Sequence, residues 1–578
     1  MRWPLVLLAG WAIFSSAYGQ QAAAPAEDDS RLDVQTDALI RTPDGATLSA
    51  SIVRAEGDAA RRPTLLTIDI YTDPTNVVAR CRTAVARGYA CVIADSRGKR
   101  LSPDPVVPYE HAAEDGRAVV EWVARQPWSD GRVGMRGGSY SGFTAWATAK
   151  HKPAALKTIA VSAAAIPGMG LPMYRNVFLN ANYGWAFYTT NNKLLDDKTY
   201  NDPQRWATMQ RTWFASGRPY REIDQVDGTP NPWLQRWLQH PAYDAFWQRM
   251  VPYGREFANI DIPVLTITGY YDDGQISALQ YLKEHRRYRP KAEHYAVIGP
   301  YDHFGTHSAA KAPTLRDYTI DPAAQFSTPD LVLDWMDHVF HDSPLPALLK
   351  DRINFEVMGA NEWRHAPSLE AMSPKRLRLY FSAERTGERV QLTAKKPAKR
   401  AHLTHTVDLA NRSVFNNFNS YPFPIVGMKI QYVTELQFIS EPFPMATEIS
   451  GALTGIVNVT LNKKDFDFGV TAYEVMPDGT LFHLGYSLQR ASFTRDPTRR
   501  QLLTPGKQTR LPFETTVVSR RVAAGSRLLV LFDANKNPSA QVNYGTGRDV
   551  SDESIADARE PLRIELGNDS HLDVPVDR

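Results

Sequence analysis

The stretch GMRGGSYSG, residues 134–142, sets serines among glycines. A serine hydroxyl attacks a carbonyl only when a base takes its proton, an acid orients that base, and hydrogen-bond donors hold the oxyanion. Ser139 follows a short apolar run at 133–135 and precedes a segment that reads as helical from Phe143. This is the strand–turn–helix context of a nucleophile elbow, where small neighbours are needed because the backbone is strained and close to adjoining elements. The spacing departs from G-x-S-x-G. Counted from Gly137, the second glycine stands one place late, at Gly142.

Two later segments supply partners in the chain order Ser, Asp, His. IPVLTITGYYDD (262–273) is a buried-strand run that ends on Asp272 and Asp273, either of which can orient a base. YAVIGPYDH (295–303) ends on His303, a candidate general base, with His307 four residues on. An H-x-x-x-H pair also suits a metal when a helix presents both rings on one face. Here the segment follows Gly-Pro and contains Gly305, which opposes such a helix, so no metal or other cofactor is expected. Ser139, the acids and His303 each stand at the C-terminal end of a strand run, the edge where open α/β sheets gather their catalytic groups.

Positioning these groups takes a sheet. Apolar strand runs occur at 64–70, 90–94, 133–135, 264–267 and 295–298. Helical spacing appears at 77–87, at 112–126 (Val119, Val120 and Val123, stopped by Pro127) and at 145–150. Strands alternating with helices predict a mostly parallel sheet wrapped by helices. Cys81 falls on a predicted helix and Cys91 on a predicted strand, so a disulfide and two buried thiols both stay open. Asp95 and Arg97 read as a structural ion pair.

Between about 167 and 250 the strand runs stop and six tryptophans crowd in, from Trp185 to Trp247. This predicts a helical insertion, its tryptophans mainly core, with a few available to line an apolar pocket. Beyond 351, β-rich runs at 377–381, 455–461, 471–475 and 527–532 predict an all-β sandwich or jelly roll, with a turn at Pro477-Asp478-Gly479. The expected organisation is a signal peptide at 1–19, a leader at 20–34, sheet-domain halves at 35–166 and 251–346 around a helical cap at 167–250, and the β domain at 351–578.

The N-terminus carries Arg2, an apolar run to Phe14 and small residues at Ala17 and Gly19 before Gln20. The run is about a dozen residues, short of the roughly 20 that a spanning helix needs, so a cleaved export signal is expected and no membrane association thereafter. The 578 residues carry 43% hydrophobic and 22% charged side chains, a formal net charge of +3 and no basic run, which gives nucleic-acid binding no support.

Taken together, the motifs resemble those of the cocaine esterase-like (CocE/NonD) serine hydrolases, peptidase family S15. GGSYSG matches their G-x-S-Y-x-G elbow, and the displaced glycine is part of that match. QPWSDGRVGMRGGSYSG (126–142), ADSRG (94–98), GYYD, GPYDH and LDWMDHVF (333–340) resemble further family segments. KDFDFGVTAYEVMPDG (464–479) and NYGTGRDVSDES (543–554) resemble its C-terminal jelly roll. The resemblance implies an α/β-hydrolase with a helical cap and a jelly-roll domain. It implies Ser139 as nucleophile, Asp272 ahead of Asp273 as orienting acid, and His303 as base. It also implies an oxyanion hole built from the Tyr140 backbone N–H and the Tyr71 hydroxyl.

The family includes X-Pro dipeptidyl peptidases, α-amino acid ester hydrolases and glutaryl-7-aminocephalosporanic acid acylases. Members that take α-amino esters use extra carboxylates just after the catalytic aspartate. Gly274 and Gln275 stand at those places here, leaving Asp273, with Asp196 or Asp197 of the insertion as substitutes. A buried ammonium needs a counter-charge, so the departure counts against a free-amine substrate. The expected function is an exported hydrolase of a small ester, amide or peptide, acting through an acyl-enzyme. The other readings are a dipeptidyl peptidase, an amino-ester hydrolase or a β-lactam acylase. A reading from a different class gives the jelly roll and the tryptophans a carbohydrate-binding role. Self-association stays open.

Overall fold

The computed structural model describes residues 31–417, 424–427, 430 and 434–578. The signal peptide expected at 1–19, and the leader up to residue 30, lie outside them. The first strand begins at Leu32, inside the segment assigned to the leader.

A ten-stranded mixed sheet holds the first two thirds of the chain together. An antiparallel hairpin, β1 (Leu32–Arg41) and β2 (Thr47–Ala55), forms one edge. Next come β3 (Arg62–Asp69), helix α1 (Val77–Ala86), β4 (Ala90–Asp95), helix α2 (Ala112–Ala124), β5 (Ser129–Gly138), helix α3 (Tyr140–Lys150) and β6 (Leu156–Ser162). Strands β4, β3, β5 and β6 lie side by side in that order, each pair parallel. Their cores are apolar runs rather than alternating patterns because helices cover both faces of the sheet. Helix α3 is buried along nearly its whole length, which suits its Phe, Trp and Ala content. Cys81 of α1 and Cys91 of β4 form a disulfide, with Cα atoms 5.6 Å apart.

The chain then leaves the sheet. A short hairpin, β7 (Met173–Tyr174) and β8 (Val177–Phe178), leads into helices at Ala181–Thr190, Asp197–Tyr200, Pro203–Ser216, Ile223–Asp227, Pro232–Trp237 and Ala245–Gln248. Local capping explains their boundaries. Asp196, Asp202, Asn231 and Asp244 each accept a backbone N–H of the helix they precede. Trp185, Trp206, Trp213, Trp237 and Trp247 are buried, as core tryptophans are.

The sheet resumes with β9 (Val264–Tyr271), a helix at Gln275–Tyr288, and β10 (His294–Asp302), parallel to β6 and to each other. A two-stranded ribbon, β11 (Thr314–Leu315) and β12 (Tyr318–Thr319), precedes the helix Thr328–His341. Two further strands, β13 (Ile353–Val357) and β14 (Glu362–Ala366), extend the same sheet beyond β10. The first sheet therefore runs past residue 351, where the composition turns β-rich. INFEV carries the same apolar β-branched and aromatic character as the jelly-roll strands, so composition alone does not separate them.

The remaining strands form a second, twelve-stranded and mostly antiparallel assembly. Thr447–Leu461 pairs with Thr509–Val522, and Asp467–Val475 pairs with both Leu481–Arg490 and Arg527–Ala534. The turn at Pro477-Asp478-Gly479 joins Asp467–Val475 to Leu481–Arg490, with Gly479 at φ +88°. This β domain clamps both other parts. Gln275 exchanges hydrogen bonds with the Val517 backbone, and the cap meets it where the Asn180 N–H donates to the Ser539 carbonyl.

Candidate active site

Ser139 sits between the end of β5 and the start of α3, at φ 56° and ψ −117°. A non-glycine residue in that region costs on the order of 1–3 kcal/mol and persists only where its surroundings hold it. Here the Ser139 N–H donates to the Ser162 carbonyl at 2.9 Å, and its own carbonyl accepts from Phe143 and Ala165. The glycines around it are close-approach positions. A side chain at Gly137 would collide with Ser141, and one at Gly138 would stand 2.9 Å from the His307 ring. At Gly142 a Cβ would stand 2.9 Å from the Ala164 Cβ, where α3 passes the exit of β6. The glycine one place late is thus the one that lets the helix seat against the sheet.

The candidate acid and base come from neighbouring strand ends. Asp272 follows β9, and its side chain is buried against three donors. Its Oδ1 accepts from the Gly274 N–H at 2.8 Å and lies 3.0 Å from His303 Nδ1, and its Oδ2 accepts from the Thr268 hydroxyl at 2.7 Å. This fixes the carboxylate and, in the neutral ring, assigns the proton to Nδ1 and leaves Nε2 to accept. Burial on its own would lower the His303 pKa, but the charge of Asp273, the hydrogen bond to Asp272 and the charge of Asp272 outweigh it and hold the imidazole well above the usual histidine range.

His307 differs. Its Nδ1 is bonded to the Thr306 hydroxyl, and burial, with His303 and Lys311 nearby, pushes its pKa down to about 3. That leaves it a poor base. Asp272, Asp273 and His303 bring ligand atoms within 4.8 Å of one another, as a metal site would. The hydrogen bonds from Gly274, Thr268 and His303 already occupy the Asp272 oxygens.

Tyr71 stands two residues past β3 and Tyr140 opens α3. The Tyr140 N–H is at the first helical position, which has no partner within the helix. Its side chain points the other way, buried among Tyr109, Phe143 and Trp185, with its hydroxyl accepting from the Tyr109 N–H at 3.2 Å. The tyrosine after the serine therefore anchors the start of the helix. The Tyr71 hydroxyl accepts from the Trp185 indole N–H at 3.0 Å. Trp185 is the cap tryptophan that reaches this edge, and nothing in the sequence pattern distinguishes it from the others nearby.

Other sequence expectations resolve differently. Asp95 and Arg97 do not pair with each other. Arg97 binds Asp115 and Asp44, while Asp95 accepts from Ser49 and lies 3.7 Å from Arg100. Asp95 is the last residue of β4 and Arg97 lies in the turn beyond it, so the chain has changed direction between them and each side chain meets different neighbours. Asp196 caps a helix and also accepts from Asn191. Gln275 is buried in the seam with the β domain.

Residues 44–305 match the family model of the X-Pro dipeptidyl-peptidase (S15 family), and residues 350–565 match that of the X-Pro dipeptidyl-peptidase C-terminal non-catalytic domain. The chain belongs to the CocE/NonD serine hydrolases of family S15. Within this family, it is 24% identical to the cocaine esterase of Rhodococcus sp. (strain MB1 Bresler), over 95% of this chain and 99% of that one. Two solved structures share the fold at a TM-score of 0.76. One is an α-amino acid ester hydrolase, 19% identical and covering 98% of this chain and 99% of its own. The other is an aminopeptidase from the marine sediment archaeon Thaumarchaeota archaeon, 18% identical and covering 97% and 98%. As an S15 hydrolase the protein acts on ester or peptide bonds, and the α/β-hydrolase sheet, the helical cap and the all-β C-terminal domain are the family's architecture.

Proposed function

We propose that this S15 hydrolase cleaves an ester or amide through an acyl-enzyme on Ser139, with His303 as general base and Asp272 as the acid that orients it. The observation that carries this reading is the chain Thr268–Asp272–His303, set at the strand edge that also bears the strained Ser139. His303 Nε2 takes the hydroxyl proton as Oγ bonds to the carbonyl carbon. The Tyr140 N–H and the Tyr71 hydroxyl stabilise the oxyanion. The carbonyl then re-forms, the bond to the leaving group breaks, and His303 returns the proton to that leaving atom. Water repeats the sequence, giving up its proton to His303 and releasing the acid.

The acyl group is one without a free amine. Gly274 gives its N–H to Asp272, Gln275 is engaged in the β-domain seam, and Asp273 faces His303 rather than presenting a separate counter-charge. Export is supported by the Cys81–Cys91 disulfide, which belongs to an oxidising compartment. A panel of p-nitrophenyl acyl esters, α-amino acid esters, X-Pro p-nitroanilides and glutaryl amides tests the substrate reading. Relative kcat/KM is expected to favour the simple acyl esters, and turnover of a free-amine substrate far above its N-acylated analogue would overturn it.

A further inference from the structure

Two carboxylates face one ring nitrogen in this site. His303 Nδ1 lies 3.0 Å from Asp272 Oδ1 and 2.9 Å from Asp273 Oδ1. Distance alone would make them equal partners. The Nδ1–H direction meets Asp272, and the buried Oδ1 of Asp273 has no hydrogen bond of its own. Asp273 is thus held against the imidazole, and close charge rather than a formed bond links the two. A buried acceptor left unbonded costs free energy and calls for a reason in the function of the site.

We infer that Asp273 is a second carboxylate of the catalytic histidine, a positioning residue that stabilises the His303 imidazolium and stands ready to take its Nδ1–H when Asp272 cannot. The inference rests on the Ser139–His303–Asp272 reading. Asp272 is neutralised in part by the donors that fix it, the Thr268 hydroxyl and the Gly274 N–H. Asp273 adds a negative charge at the same distance with no comparable set of donors, so the imidazolium formed as Ser139 gives up its proton is balanced by two carboxylates. Against burial, the proximity of His303 holds the Asp273 carboxyl below its ordinary range, and Arg316, which donates to the Tyr271 carbonyl, adds to this from the β11–β12 ribbon side. His307 stays neutral and Lys311 lies beyond it. The hydroxyls of Tyr200 in the cap and Tyr486 in the β domain feel the charge of Asp273. Asp273 therefore stands where cap, sheet and β domain converge.

The test is a pair of comparisons with a p-nitrophenyl ester at varied pH. D273N keeps the shape and removes the charge. Its acidic limb of kcat/KM is expected to move to lower pH by about one unit, since a lost negative neighbour makes His303 less basic. The second comparison sets D272N against D272N/D273N. The single variant is expected to retain at least tenfold more kcat than the double, because Asp273 can accept the Nδ1–H. An unmoved acidic limb in D273N together with equal rates for D272N and the double variant would overturn the inference. If D273N fails to fold, D273S carries the same measurement. Full activity in S139A would instead sink the triad reading itself, and that outcome is distinct from either of the others.

Discussion

The indole N–H of Trp185 donates to the hydroxyl of Tyr71 at 3.0 Å, linking a helix of the cap to the strand end beside Ser139. A phenol that accepts from a fixed donor has its proton turned toward another acceptor. If that acceptor is the developing oxyanion, Tyr71→Phe should lower kcat by about 10²–10³ with little change in KM. Trp185→Phe removes the orienting bond and some indole packing on Tyr109 and Tyr140 but keeps the phenol, and should cost less, about tenfold. Steady-state kinetics on one activated ester separates the two. Equal kcat in Y71F and the parent would remove Tyr71 from the oxyanion hole.

The elbow's geometry predicts a different kind of loss. Gly142→Ala places a methyl group 2.9 Å from the Ala164 Cβ, at a contact between α3 and the exit of β6 with little room to yield. Overpacking of this sort costs about 1–3 kcal/mol. The denaturation midpoint should fall, and kcat should fall with it because α3 carries the Tyr140 N–H. A variant with parental stability and rate would show that the late glycine has no packing role.

The disulfide lies at the other end of the sheet. Cys91 is the second residue of β4, near its N-terminal end, while the candidate site stands at the C-terminal ends. With a sequence separation of 10, the link should contribute about 3 kcal/mol through the unfolded chain. C81A/C91A should lose that stability in denaturant titrations and keep kcat in the folded state.

Glu356 of β13 is fully buried beside Asp321, and burial, with Asp321 adding to it, pushes its pKa up to about 9. The folded protein therefore keeps this carboxyl protonated at neutral pH, while the unfolded chain releases the proton above about 4.3. The folded state binds the extra proton, so stability falls as pH rises from the unfolded value toward 9. Glu356→Gln cannot titrate. Its stability relative to the parent should increase with pH between 6 and 9, read from chemical denaturation at each pH, and a constant difference would exclude the linkage.

Much of this architecture is legible in the chain because the signals are local. The apolar runs at 64–70, 133–135, 264–267 and 295–298 fall in parallel strands that end at Asp69, Gly138, Tyr271 and Asp302, and the residues just beyond those ends form the candidate site. What stays hidden depends on pairing across distance. Trp185 looks like any other cap tryptophan until the fold brings it to Tyr71. Asp272 and Asp273 look like alternatives for a single role until the turn after β9 aims both carboxylates at one nitrogen. Strands Ile353–Val357 and Glu362–Ala366 look like jelly roll because their membership is decided by the partner strand, not by their own residues.

The central claim is that Ser139 is the acyl-accepting nucleophile, and a fluorophosphonate tests it most directly. Intact-mass and peptide mass spectrometry of the folded protein should show a single adduct on the peptide holding Ser139, with loss of esterase activity in proportion to labelling. S139A should show neither adduct nor turnover. Labelling elsewhere with Ser139 unmodified, or undiminished turnover by S139A, would contradict the account.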